Sequence, residues 1–486
     1  MRFNFLFRST KGLALVAIAL MALVAAVFGT LSGPMADYGI KEVTVRVLGM
    51  KLVEAEREAR IIMIYHVIAM AVVALETYFI TAIVPMKKNQ QTNINGLITI
   101  GYIVSLFFGL GFAYWGRNFI FHGLFLFGQS LIFLAGVLLA KALWPWSREY
   151  RRLKPEYSRT RGGIDLERAA FFTMAVCTLG SALFGAIPGS MFGNGFESFL
   201  AEDVVREQHK TALQLSVIGH LHIMLTLIAV ALSLILIRWV DFKGWMHRVS
   251  MPLIIAGSIV VTLGVWLVVP FETIAHYIIY AGSVLVMPAA LFLVIHAWRK
   301  IIRDRFISLN VRRWGFWKGV GALLHDPIRF GAFLQIVYMN FVVTFVGIFM
   351  AIRLDKVMML LPLREERITL TGHWHILAGF IATVLLLYYA DRVGLKGKIR
   401  QWFGWLIIIG SDIAFFAVTL FETKRLYVAE SAQQPLVSFT MLLTDFGLIL
   451  VLIVLAAFMV YRLIDLFKRR GKWFTELAEA EKEGLK

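Results

Sequence analysis

Gly219-His220-Leu221-His222-Ile223-Met224 and Gly372-His373-Trp374-His375-Ile376-Leu377 repeat one pattern at two distant places, and Tyr65-His66-Val67-Ile68-Ala69-Met70 carries half of it again. Each copy opens an apolar segment, followed by a glycine-rich apolar helix and then another helix. His122 follows the Tyr65–Met70 copy and His276 follows the Gly219–Met224 copy at similar places. Asp165-Leu166-Glu167-Arg168 followed by Phe171 likewise corresponds to Asp326-Pro327-Ile328-Arg329 followed by Phe333. The chain therefore reads as three units of four helices, the first unit starting at the first helix or shifted by one.

The composition says where these helices live. Of 486 residues, 59% are hydrophobic and only 16% charged, whereas soluble domains are about half apolar and about a quarter charged. Apolar runs of about 20 residues recur along the whole chain, which indicates an all-α integral membrane protein with a single polytopic domain over residues 1–486. A lone cysteine, Cys177, excludes a disulfide framework, a thiolate iron-sulfur site and covalent haem attachment through a Cys-x-x-Cys-His motif. Any metal must be held by histidine or oxygen. The net charge of +18 does not signal nucleic acid, because the basic residues fall in short loops between apolar segments, where they orient helices in the bilayer.

Apolar runs against polar punctuation predict twelve transmembrane helices near 11–31, 60–86, 97–116, 118–142, 166–190, 214–238, 250–270, 273–298, 329–352, 370–391, 402–422 and 437–465. The first follows Arg2, Arg8 and Lys11 but is long for a signal sequence, so it is taken as a retained span. With the N-terminus inside, roughly 33 Lys and Arg fall on the inner side and roughly 14 on the outer, as the positive-inside rule requires. Both termini are then cytoplasmic in an inner (cytoplasmic) membrane. Arg148, Arg151, Arg152, Lys154, Arg159 and Arg161, with Arg303, Arg305, Arg312 and Arg313, serve as inner anchors, and Lys141 and Arg168 snorkel to the same interface. Longer connections near 32–59, 191–213 and 353–369 lie outside and carry acidic residues such as Glu197, Glu202 and Asp203.

In this frame His66, His220, His222, His373 and His375 all sit within about two turns of the outer end of an inward-running helix, at about 1.5 Å of rise per residue. Five ionisable imidazoles at one depth need partners in lipid, and a metal or cofactor is the common one. Residues i and i+2 of a helix point about 200° apart, so the two histidines of a His-x-His motif serve opposite faces and cannot chelate one ion. A helix standing between two cofactor sites, with one imidazole for each, has this pattern.

These residues resemble the catalytic subunit of the haem-copper oxidases and the related nitric oxide reductases. In that family the tenth of twelve helices carries a His-x-His motif whose first histidine holds a high-spin haem and whose second holds a low-spin haem completed by the second helix. Gly372-His373-Trp374-His375-Ile376 falls in the tenth expected span and His66 in the second. Tyr388-Tyr389 and Gly394-Leu395-Lys396-Gly397 continue the similarity, and Lys424-Arg425-Leu426-Tyr427 stands where the family binds haem propionates. Glu365 matches a family acidic position eight residues before the pair. The resemblance implies three arcs of four helices and cofactor-binding roles for His66, His220, His222, His373, His375, Lys424 and Arg425.

The departures redirect the function. The family holds copper, or a second iron, through one histidine of helix six and two of helix seven, but Met251 to Pro270 contains no histidine. Copper is therefore not expected. A histidine of helix six can instead approach the iron, so two six-coordinate haems b are expected: His375 with His66, and His222 with His373. His220 faces a third position or exchanges roles with His222. Six-coordinate iron suits electron transfer, and the expected function is a b-type cytochrome subunit of a respiratory complex. Its partners would be the bilayer, companion subunits, an outer-side carrier of the cytochrome c type and quinol. A divergent oxidase or nitric oxide reductase, and a cofactor-free transporter or scaffold, are the alternatives. Glu76, Asp412 and Asp445 within spans read as structural rather than as a proton path.

Overall fold

A computed structural model describes residues 4–32, 39–53, 57–151, 162–191, 211–310, 315–353, 363–429 and 432–468. Arg2, Arg152, Lys154, Arg159, Arg161, Arg312, Arg313, Glu197, Glu202, Asp203 and the side chain of Glu365 lie outside these residues. The long helices are α1 Leu13–Ser32, α2 Arg57–Ile83, α3 Lys88–Tyr114, α4 Phe119–Ala142, α5 Leu166–Met191, α6 Ala212–Trp239 and α7 Trp245–Ser308. Next come α8 Pro327–Val337, which continues through a π-helical stretch Tyr338–Val343 into α9 Thr344–Arg353, then α10 Leu363–Val393, α11 Gly397–Thr423 and α12 Gln433–Phe467. No strand occurs among the described residues, and eleven helical stretches there are long and apolar enough to cross a membrane. The chain is an all-α, multi-pass membrane protein.

The helix α7, at 64 residues, would be about 96 Å long if straight, roughly three times a bilayer core. It does not run straight. Phe271, directly after Pro270, leaves helical geometry at φ −146° and ψ 60°. Contacts across α7 pair Gly257 with Val286, Val261 with Gly282 and Gly264 with Ile279, each pair symmetric about Phe271 and Glu272. The helix thus folds back on itself as an antiparallel hairpin whose small residues let the two backbones meet.

Contacts divide the chain into two compact units. The first comprises Met1–Ile235, Arg248–Val286 and Met459–Lys486. Within it α3 and α4 form a second close hairpin: a Cβ added to Gly128 would lie 2.6 Å from the Ser105 backbone nitrogen and 2.8 Å from the Gly101 carbonyl. The α3 helix begins at Lys88, well before the expected 97, because its polar first turns have partners. Asn95 donates to the Phe7 carbonyl at 2.6 Å and Arg8 donates to Thr92 at 2.8 Å, while Thr81 donates to Asn95. Tyr78 of α2 meets Thr99 at 2.7 Å in the same layer. Interhelical hydrogen bonds in membrane proteins contribute about 0.6 kcal/mol on average. Tyr78→Phe is accordingly expected to lower stability by about 0.6 kcal/mol, and a drop above about 2 kcal/mol in a detergent unfolding titration would assign Tyr78 a larger role.

Arg168 illustrates how helix ends are closed. It donates to the carbonyls of Pro85, Trp144 and Ala142, satisfying C-terminal acceptors of neighbouring segments, and stacks over the Tyr150 ring at 3.7 Å. Asp165 caps α5 by accepting from the backbone of Glu167 and Arg168. In the second unit, Leu236–His247 and Met287–Phe458, the corresponding Asp326 caps α8 by accepting from the Arg329 nitrogen. There the arginine takes a different partner, Asp391 at 3.4 Å. Arg400 bridges Asp326, at 2.7 Å, and Asp391, which also accepts from the Trp239 indole at 2.6 Å. Deeper in this unit Gly331 meets Ile408, and Gly410 of α11 meets Gly447 and Val451 of α12, so this unit has its own glycine-lined helix contact.

Candidate functional site

In the first unit α2 presents His66, and α6 presents His220 and His222. The His66 Nδ1 lies 2.8 Å from the Ile62 carbonyl, one turn earlier on its own helix. His222 makes the same contact with Ile218, also at 2.8 Å. His220 instead reaches across to α5, placing Nδ1 2.9 Å from the Ser181 carbonyl. A carbonyl only accepts, so Nδ1 carries the proton in all three, and Nε2 keeps its lone pair. That tautomer makes Nε2 the nitrogen that could ligate a metal, with the ring orientation fixed by the hydrogen bond at Nδ1.

His220 and His66 are neighbours. Their ring centroids lie 6.3 Å apart with planes inclined by 12°. His220 is set by Gly185, where an added Cβ would fall 2.2 Å from its Nδ1. No side chain larger than hydrogen permits that approach, so Gly185 admits the ring and the Ser181 carbonyl holds it. Phe125 of α4 stands perpendicular to the His66 ring, centroids 6.2 Å apart. Arg60, buried on α2 six residues before His66, provides a cation about 9 Å along the helix axis and donates to the Val53 carbonyl.

His122 behaves differently. It is buried, and its Nε2 lies 3.1 Å from the Gly189 carbonyl, so Nε2 donates and offers no lone pair. His276 is stacked one turn from Tyr280, centroids 6.4 Å apart. Glu76 is 3% exposed, and its Oε1 has no hydrogen-bond partner among the described residues.

The second unit holds His373 and His375 on α10. His373 is half-buried with its ring edge against Gly347 of α9, where an added Cβ would lie 2.8 Å from Cε1 and Nε2. His375 is exposed. Lys424, in the single turn after α11, is buried with its ammonium 4.1 Å over the Phe421 ring, while Arg425 is exposed. Asp412 leaves Oδ1 without a hydrogen-bond partner among the described residues, and Asp445 is half-buried. No group of three or more His, Cys, Asp or Glu side chains suited to a bare metal ion occurs among the described residues.

Sequence reasoning does not place His66 beside His220, nor does it single out Ser181 and Gly185, which fix the second ring. A signal for them is faint: Gly185 is one glycine among 39. Within the first unit, His66 and His220 stand together, and each could offer Nε2 to a metal or an iron cofactor. Compared with known protein families, curated proteins and solved structures, the chain matches none.

Proposed function

We propose that the chain is the membrane b-type cytochrome subunit of a respiratory or other redox complex, transferring electrons between quinol in the bilayer and a carrier on the outer side. The observation that carries this reading is the His66 and His220 pair, each with Nδ1–H held by a carbonyl and their ring centroids 6.3 Å apart. Counting the folded-back α7 as two spans gives twelve, as the resemblance to haem-copper oxidases implies. The positive-inside asymmetry then puts both termini in the cytoplasm and the histidines near the outer leaflet.

Haem b supplies one-electron redox chemistry when bound, and two haems take four of the five histidines His66, His220, His222, His373 and His375. The protein's own part is to hold the imidazoles in one tautomer, keep their rings oriented and exclude water with the surrounding apolar side chains. Lys424 and Arg425 are the cations we assign to propionate carboxylates at the edge of the low-dielectric interior. The histidine-free Met251–Pro270 segment argues against the oxidase chemistry of the resembling family.

Purified protein is expected to contain iron as haem b, with no stoichiometric copper, and to show low-spin bands in reduced-minus-oxidised spectra. It is expected not to bind carbon monoxide rapidly. Absence of haem would overturn the reading in favour of a transporter or scaffold; fast carbon monoxide binding with oxygen or nitric oxide turnover would make the chain a reductase.

A further inference from the structure

We infer that His66 and His220 are the two axial ligands of a single haem b held wholly within the first unit, in place of the His66–His375 pair that the resemblance implies. The inference rests on the reading of the chain as a haem protein, and it identifies which imidazoles share an iron. Distance is the first support. Two imidazoles can serve one iron only where their rings stand close together. The observed centroid separation is 6.3 Å.

Preorganisation is the second. The two rings are fixed by carbonyls from different helices, Ile62 of α2 and Ser181 of α5, and neither Nε2 has a hydrogen-bond partner among the described residues. The His220 ring is further immobilised against Gly185. Both histidines, and both carbonyls that fix them, lie in Met1–Ile235. The i, i+2 relation then directs His222 to another face of α6.

Parallel rings give a specific signature. Imidazole planes inclined by 12° predict a rhombic low-spin ferric electron paramagnetic resonance signal, as opposed to the highly anisotropic signal of crossed planes. In the full-length purified protein, His66→Gly and His220→Gly are each expected to remove that same rhombic signal and about one haem per chain, with added imidazole restoring it. His375→Gly is expected to leave it intact. His220→Met keeps the bulk and a ligating atom, and is expected to raise the potential of one haem while the other stays unchanged. The pairing is overturned if His375→Gly abolishes the signal lost in His66→Gly while His220→Gly and His220→Met leave spectrum and potentials as they were. Wild-type protein with no haem would instead remove the functional reading on which the pairing rests.

Discussion

Gly128→Leu is expected to prevent the first unit from folding, giving aggregated protein or a loss of stability above about 3 kcal/mol. Even a Cβ at this position would lie 2.5 Å from the Ser105 hydroxyl, 2.6 Å from its backbone nitrogen and 2.8 Å from the Gly101 carbonyl. Two of those three atoms are backbone, which no rotamer change can move. The helices α3 and α4 would have to separate along their length, opening the packing of Phe125 against Gly109 and, through Phe125, the perpendicular contact with His66. Gly123 on the same helix has nothing within 4 Å of an added Cβ, so Gly123→Leu controls for the larger side chain and is expected to be near neutral. Yield of monodisperse protein and its unfolding midpoint in detergent decide the matter; equal behaviour of the two variants would show that α3 and α4 do not depend on the close approach.

The second large effect is expected at Arg400. Its guanidinium serves Asp326 and Asp391 together, and the three side chains are only 20%, 24% and 14% exposed. Arg400→Ala leaves two half-buried carboxylates with Arg329 alone between them, at a cost of about 2–4 kcal/mol, somewhat below that of a fully buried pair. Asp326 caps α8, and Asp391 near the end of α10 holds the Trp239 indole, so the loss loosens three helices at once. Arg400→Lys is expected to recover only part of the loss, because an ammonium lacks the fork that addresses two carboxylates. Thermal unfolding at low and high salt gives the readout. A midpoint for Arg400→Ala that matches wild type at low salt would show that the cluster contributes no net stability.

Much of the membrane architecture is legible in the sequence because lipid imposes a simple rule: backbone polar groups must be satisfied inside each span, so apolar length translates directly into helix. The expected 118–142 and 166–190 agree closely with Phe119–Ala142 and Leu166–Met191. Hydropathy fails where polar side chains find partners far along the chain. The Gln90, Gln91, Thr92 and Asn95 run reads as a loop, yet it is helical because Phe7 and Arg8 supply hydrogen bonds from over 80 residues away. The break between 270 and 273 is legible as Pro270, but not that a single residue suffices for the reversal. The histidines announce themselves by repetition, whereas the nearness of His66 and His220 depends on α5 contributing a carbonyl and a glycine. No periodicity within α2 or α6 encodes that third helix.

The reversal at Phe271 also bears on how the chain is made. Two apolar spans joined by one non-helical residue offer no polar stretch at which a translocating channel could pause between them. A helical hairpin of this kind can leave the channel as a pair, its backbone hydrogen bonds formed and its Gly257, Gly264 and Gly282 surfaces already matched. Topology at this point is then inherited from the segments before and after, and the turn itself casts no vote. An epitope or protease site inserted at Phe271 would fall in the tight turn of the hairpin and disturb the pairing of its two arms, so this position is a poor choice for a topology tag, however central it lies in the chain.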